Sequence, residues 1–313
     1  MPVETIPATV WRARAAAHAA RLAPYVEPHL ERRRTGRKHP VHDFLFSYYS
    51  HRPAQLLRWH PGYGVALEDA AEYAGLKGYQ VSWPRSPGVS RLASLTPQPP
   101  EEVVAVGHEY LAGQRRLIGS IHRLLAATAA RPAHTGCFGL HEWAMVYRAD
   151  ETRHPQPLRL GGAGTDTVVE SHRIRCSHFD AFRFFTDEAR PRNTLSPGPD
   201  DRPDFEQPGC LHAGMDLYKH AFRLSPLVSS DLVADCFELA WNIRELDMRA
   251  APYDLTAFGL EPVRIETAEG KQEYAQHQKS FAERGQLLRA DLIRECQRLL
   301  GHLEPMADGA GRR

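Results

Sequence analysis

The chain has 313 residues, of which 42% are hydrophobic and 25% are charged, as is typical of a globular protein. The 39 Lys and Arg residues and 38 Asp and Glu residues leave a net charge of +1, so no overall electrostatic field would attract nucleic acid or an anionic membrane. The five cysteines form no C-x-x-C pair, which argues against a secreted disulfide scaffold and a zinc ribbon. We find no signal peptide and no apolar run long enough to span a membrane, so we expect a cytoplasmic location.

The hydrophobic periodicity predicts a mainly α fold. We expect one compact helical domain over residues 1–303, with a few short strands, long Pro-rich loops and a frayed tail at 304–313. In chain order, helices are predicted over 10–34, over two short pieces of 41–60 that are split at Pro53, and over 101–130, 136–148, 211–224, 230–249 and 270–302. Strands are predicted at Tyr79–Trp83 and within 166–178. The Pro-rich segment 187–210 is expected to be a functional loop, such as a lid.

Aromatic and basic side chains alternate after the first helix. Tyr48, Tyr49, Arg52 and Trp59 belong to this segment, and aromatic rings beside arginines suit a nucleobase or another flat ring, although core packing also produces such density. The basic run Arg32–Lys38 precedes it and forms a local patch for the phosphates of a nucleic acid. Basic residues are equally typical of a helix C-terminus.

Histidine is the one compositional anomaly, because several of the 17 histidines cluster between His141 and His220. The first of these precedes Glu142 in an otherwise apolar helix. A buried Glu142 would have a raised pKa and would suit acid–base chemistry. Met145 stands where the H-E-x-x-H zinc motif requires its second histidine, so that motif is excluded.

Two further stretches combine histidine with carboxylate. If residues 172–180 are extended, His172, His178 and Asp180 share one face, and Asp180 would orient the His178 ring as a metal ligand or a general base. On the helix over 211–224, His212 and Asp216 are four residues apart and Lys219 follows three residues later. A structural His–Asp hydrogen bond and ordinary surface ion pairs remain the alternatives.

The helix over 230–249 carries two apolar stripes and one polar stripe. The polar stripe includes Glu238 and Arg249 and would line either a cavity or the solvent. The end of this helix and the turn after it contain Asp247, Tyr253 and Asp254, whose side chains are suited to ligand binding.

Five segments resemble a family of actinobacterial proteins that is commonly labelled 3-methyladenine DNA glycosylase. They are RKHPVHDFLFSYYSHRPAQLLRWHPGYG, GCFGLHEWAMVYR, ESHRIRCSHFDAFRFF and the pair GCLHAGMDLYKHAFRLSPL and DCFELAWNIRELDMRAAPYDL. The resemblance covers most of residues 10–300 and implies action on a nucleobase. The chain departs from helix-hairpin-helix glycosylases, because Ser86–Ser90 lacks the final glycine of their L-P-G-V/I-G turn.

Three functions remain open. The first is an N-glycosylase-like hydrolase of a nucleobase or nucleoside with a carboxylate base. Its catalytic candidates are Glu142, Asp216, Glu238 and Lys219, and its substrate-binding candidates are Tyr48, Tyr49, Arg52, Trp59, Arg249 and Tyr253. The second is a small-molecule enzyme with iron or zinc bound by His141, His172, His178, Asp180 and His212. The third is a non-catalytic ligand-binding protein. Without a P-loop or a G-x-G-x-x-G fingerprint, we expect neither ATP nor NAD, and the sequence does not predict an oligomeric state.

Overall fold

Residues 4–82, 102–152 and 154–304 are described by a computed structural model, in which α-helices predominate. The helices are α1 (Ala8–Arg34), α2 (Phe44–Tyr48), α3 (Pro53–Leu56), α4 (Ala71–Ala74), α5 (His108–Gly113), α6 (Arg115–Ala129), α7 (Leu140–Ala144), α8 (Gly161–Ser171), α9 (Phe179–Phe182), α10 (Arg202–Phe205), α11 (Leu211–Leu224), α12 (Ser230–Arg249) and α13 (Ala268–Gly301). Short 3-10 turns lie at Arg190–Arg192 and Thr256–Phe258. The mainly α prediction is therefore confirmed.

The pair α11 and α12 forms the centre of the molecule, and α13 packs against both helices. The Ser229 hydroxyl caps α12 by accepting a hydrogen bond of 3.3 Å from the Leu232 amide. A Cβ atom on Gly214 would lie 2.8 Å from Cδ1 of Ile243, so glycine at this position permits the close approach of α11 to α12. This close pairing brings polar side chains of both helices into the core.

A small sheet lies at one side of the helices. Its strands are β1 (Glu4–Ile6), β2 (Val65–Glu68), β3 (Tyr79–Ser82) and β4 (Val103–Val106), in the order β1-β2-β4-β3. The first two strands are parallel, and β4 is antiparallel to both of its neighbours. The predicted helix over 101–130 is wrong at its start, because valines at 103, 104 and 106 favour pairing with strands on both sides.

The predicted strand within 166–178 is also wrong. Residues up to Ser171 belong to α8, where Val168 and Val169 are buried, so packing outweighs the β propensity of these residues. Only the following segment is extended, with one bridge between Ile174 and Asn193. The Asn193 side chain holds this segment, because it accepts from the Cys176 amide at 2.6 Å and donates to the Cys176 carbonyl at 2.9 Å.

The long helices agree closely with the predictions, and Pro53 begins α3 as expected. Gly36 follows the end of α1 with φ of +69°, a conformation that glycine adopts without strain. Trp83, the Ser86–Ser90 turn and residues 305–313 of the predicted tail lie outside the described residues. Within those residues, no helix combines the length and apolar character needed to cross a lipid bilayer.

Candidate functional site

Two groups of histidine and carboxylate side chains meet between α7, α9, α11 and α12. The first triad consists of His141, His212 and Asp247, and the second triad consists of His178, Glu206 and Asp216. Within each triad, one ligand atom of every residue lies within 4.8 Å of the others. The His212 ring centroid is 4.5 Å from that of His141 and 5.3 Å from that of His178, so the two triads adjoin.

The backbone before α7 positions His141. Phe138 and Gly139 both have left-handed conformations, with φ of +48° and +71°. Such a conformation is strained for phenylalanine, and strain of this kind is concentrated at functional sites. Nδ1 of His141 lies 3.6 Å from Sγ of Cys137, which leaves Nε2 directed at Asp247. The turn therefore fixes which ring nitrogen faces the first triad.

The first triad contains a buried ion pair. Nε2 of His141 and Oδ1 of Asp247 are 2.9 Å apart, and neither atom has a hydrogen-bond partner outside this pair among the described residues. Burial opposes protonation of His141, but the Asp247 carboxylate outweighs burial and raises the pKa of His141 well above its ordinary value. A buried ion pair has a large desolvation cost, and a metal cation in place of the His141 proton would be coordinated by both residues.

The second triad is already surrounded by cations. Arg202 donates to Glu206 at 2.5 Å and to Asp216 at 2.7 Å, and Lys219 lies 3.2 Å from Asp216. Burial raises the pKa of the Asp216 carboxyl, but His178 and Lys219 outweigh burial and hold that pKa well below its usual range. Nε2 of His178 is 3.5 Å from both carboxylates.

The two triads differ in charge balance. In the second triad, Glu206 and Asp216 face two cations, Arg202 and Lys219. Beside the first triad, Glu142 and Asp247 share a single cation, because Nη1 of Arg244 lies 3.1 Å from Glu142 and 3.5 Å from Asp247. Charge balance at the first triad therefore requires a proton on His141, in agreement with the raised pKa of that ring.

An aromatic chamber of about 80 Å³ opens beside the triads. Its walls are Phe44, Tyr48, Tyr49, Glu142, Met145, His154, His178, Asp180, Phe184, His212, Met215, Asp216 and Arg244. The Arg244 guanidinium stacks over the Phe44 ring at 3.9 Å, and the Tyr49 hydroxyl donates to Asp216 at 3.0 Å. The chamber therefore presents charged groups at fixed positions between flat apolar walls.

A thiol cavity of about 390 Å³ lies on the other side of His141 and His212. Cys137, Cys176 and Cys210 line it, together with Tyr274 and Gln278 from α13. Burial raises the pKa of Cys210 to about 12, so this thiol is neutral near pH 7. His212 lines both the thiol cavity and the chamber, whereas His141 lines the thiol cavity alone and the buried Asp247 lines neither.

The structure brings together most of the residues that the sequence singled out. Those in or beside the triads and the chamber are Tyr48, Tyr49, His141, Glu142, His178, Asp180, His212, Asp216 and Lys219. The expected partnership of His178 with Asp180 is wrong, because α9 begins at Phe179 and turns Asp180 toward Lys219 at 3.2 Å. The partners of His178 are the carboxylates of the second triad.

Other predicted site residues lie elsewhere. Glu238 accepts from Arg21 of α1 at 2.8 Å, and Trp59 is buried in the core near Tyr73. Arg249 donates to the carbonyl of Glu261, and Tyr253 belongs to a small second core. His172 lines the thiol cavity but belongs to neither triad, and Arg52 lines a separate groove next to the chamber.

Three site residues, Arg202, Glu206 and Arg244, had escaped assignment to a site in the sequence, and a fourth, Asp247, was predicted only as part of a ligand-binding turn. Arg202 and Glu206 lie in the 187–210 loop, which has no periodicity that would assign a direction to a side chain. Arg244 and Asp247 extend the apolar stripe Val233–Phe237–Ala240 at the same helical spacing. Two charged residues that continue an apolar stripe indicate a buried ion pair, and this pattern is visible in the sequence.

Comparisons with known proteins give no relative: no protein-family profile, curated protein or solved structure matches the chain.

Proposed function

We propose that this protein is a metal-dependent enzyme of hydrolytic type, in which His141, His212 and Asp247 bind a zinc or ferrous ion. The observation that carries the proposal is the convergence of one ligand atom each from His141, His212 and Asp247 within 4.8 Å of one another in the core. Nε2 of His141 and Oδ1 of Asp247 form an ion pair at 2.9 Å and have no hydrogen-bond partner beyond this pair among the described residues. A divalent cation would take the place of the proton on His141 and would be neutralised in part by the Asp247 carboxylate.

The donor set supports zinc or iron. Two imidazoles and one carboxylate bind zinc in hydrolases and ferrous iron in oxygenases, and both arrangements leave coordination positions open. A bound ion of this kind would supply a Lewis acid and a water molecule of lowered pKa. The contact of Cys137 with Nδ1 of His141 is the kind of outer contact that orients a ligating imidazole.

The chain's own groups around the chamber support hydrolysis. His178 faces the chamber with Nε2 at 3.5 Å from both Glu206 and Asp216, and these carboxylates would stabilise the imidazolium that forms when the ring accepts a proton from water. Arg244 lines the same chamber and is held by two carboxylates, so its position is suited to stabilise negative charge on a substrate oxygen.

The alternative of an N-glycosylase that works through a carboxylate base has weaker support. Asp216 accepts from Tyr49, Arg202 and Lys219 at once, and such a carboxylate is a poor base. Glu142 and Glu238 are each paired with an arginine. The flat walls of the chamber remain compatible with a ring-shaped substrate such as a nucleobase. Metal binding by the first triad does not depend on whether the substrate is a nucleobase.

Elemental analysis of the purified full-length protein tests the proposal. We expect about one zinc or iron per chain, either as purified or after incubation with either metal and desalting. His141→Gln and Asp247→Asn should lose this metal, because each removes one ligand while keeping the size of the side chain. His172→Gln is the matched control, since His172 lines the adjacent cavity without belonging to a triad.

His178→Gln separates the roles of the two triads. This variant should retain the metal and lose turnover, because His178 is proposed to accept a proton rather than to bind the ion. Circular dichroism and thermal midpoints must show that each variant is folded. A folded wild-type protein that binds neither metal, or ligand variants that bind it as the wild type does, would contradict the proposal.

A further inference from the structure

A basic groove of about 870 Å³ lies beside the chamber, between the end of α1 and the segment around His154. Four exposed cationic side chains line it: Arg33, Arg37, Lys38 and Arg52. His39 and His51 lie on the same walls, and burial lowers the pKa of each to about 4, so both are neutral near pH 7. The groove is within the size range of small-molecule sites.

Within the described residues these four cations form no salt bridge, whereas many other arginines of the chain do. Glu31, the carboxylate that Arg37 approaches, is already paired with Arg34. The one carboxylate on the groove wall, Asp43, is already held by Arg32 at 2.6 Å and by His29 at 2.9 Å. The groove therefore concentrates positive charge that the described protein does not neutralise.

The groove adjoins the chamber, because Phe44 and His154 line both. The chamber is an order of magnitude smaller than the groove and can admit only the end of a molecule. A ligand that spans the two would place its anionic part among the cations and its other end near His178 and Arg244. Phe44 lies between these positions, with Arg244 stacked over its ring at 3.9 Å.

We propose that the basic groove binds the phosphate groups of a small organic phosphate and directs the remainder of that molecule into the chamber. A small ligand fits better than a nucleic acid, because the net charge of +1 gives no extended electrostatic footprint. The inference rests on the proposed function for the identity of the reacting centre, whereas binding in the groove can be measured without any metal.

Calorimetric titration with inorganic pyrophosphate, at low ionic strength and in the presence of a chelator, tests the groove directly. We expect saturable binding to the full-length protein, since unpaired guanidinium and ammonium groups bind phosphate through charge-assisted hydrogen bonds. The triple variant Arg37→Gln, Lys38→Gln, Arg52→Gln should bind about tenfold more weakly or worse. These residues are exposed, so the fold should tolerate the changes.

A second triple variant is the matched control: Arg14→Gln, Lys279→Gln, Arg284→Gln. It removes the same charge from exposed positions outside the groove. The inference is overturned if pyrophosphate does not bind, or if the two triple variants weaken binding equally. Groove-dependent binding of short single-stranded DNA without binding of pyrophosphate would also overturn it, in favour of a nucleic acid ligand.

The two proposals fail in different measurements. Asp247→Asn should lose metal but still bind pyrophosphate, because Asp247 does not line the groove. The groove triple variant should keep its metal. A wild-type protein that binds no metal, or an Asp247→Asn variant that keeps it, would contradict the proposed function alone. Pyrophosphate binding that does not depend on the groove cations would contradict this inference alone.

Discussion

His141 has a neighbour at each ring nitrogen, Cys137 at one and Asp247 at the other. A ring held in this way can rotate little, and the orientation of a ligating imidazole contributes strongly to metal affinity. If His141 binds a metal as proposed, the role of Cys137 at the residue scale would be to position His141 without contacting the ion.

Substitution of Cys137 tests this role. Cys137→Ala should weaken metal binding by about tenfold, since removal of an outer contact to a ligating histidine has effects of this order. Competition with a chelating dye gives the affinity. Cys210→Ala is the control, because Cys210 lines the same cavity and no contact joins it to His141. Equal affinities for wild type and Cys137→Ala would exclude the positioning role.

The sequence identified the imidazoles of the site more readily than their partners. Histidine is rare enough that a cluster is visible in composition alone, and His141, His178 and His212 all reach the triads. The partners are common residue types, and Arg202 and Glu206 come from a loop in which no period assigns a direction to side chains. Their placement depends on how the loop packs against α11, which is a tertiary property.

At the scale of elements, the long helices were predictable and the short or irregular elements were not. Helices α11, α12 and α13 each bury a continuous, mainly apolar stripe, and this stripe makes the helical repeat of apolar residues visible in the sequence. The strand β4 and the helix α8 depend on partners distant in the chain, so local propensity misassigned both. The long helices carry His212, Asp216 and Asp247, and for that reason part of the site could be predicted.

The start of α13 depends on Gly270. A Cβ atom at this position would overlap the carbonyl oxygen of Arg264, a backbone atom that cannot move alone. Gly270→Ala should therefore lower the free energy of unfolding by about 1–3 kcal/mol, or by more if the turn distorts. Chemical denaturation measures the change.

Gly119 in α6 provides the opposite case, because a Cβ atom added there would meet no neighbouring atom within 4 Å. Gly119→Ala should raise the free energy of unfolding by about 0.5–1 kcal/mol, from helix propensity alone. If both substitutions stabilise the protein, the close contact at the start of α13 is absent in solution.

At the scale of the whole molecule, buried neutral histidines make stability depend on pH. Burial lowers the pKa of His51 and His60 to about 4, whereas the unfolded chain has values near 6.5. Between these pKa values the unfolded state binds more protons than the folded state. The contribution of these histidines to the free energy of unfolding is therefore fully present above about pH 6.5 and is lost as the pH decreases toward 4.

Each of these histidines should contribute about 1–2 kcal/mol to the loss of stability between pH 7 and pH 5. His51→Phe removes one titrating group and retains an aromatic ring against Phe222, on which His51 stacks at 3.8 Å. Urea unfolding at the two pH values should show a smaller decrease for this variant than for the wild type. An identical decrease in both proteins would mean that His51 titrates normally in the folded state.

The ring of His212 is a shared wall between the chamber and the thiol cavity. A molecule that displaces this ring toward one cavity necessarily changes the shape of the other, so occupancy of the two spaces is thermodynamically coupled. By linkage, the factor by which the first ligand alters the affinity of the second equals the factor in the reverse direction. A compound that fills the thiol cavity and displaces the His212 ring would therefore act as an allosteric effector of the chamber, without contact to anything bound there.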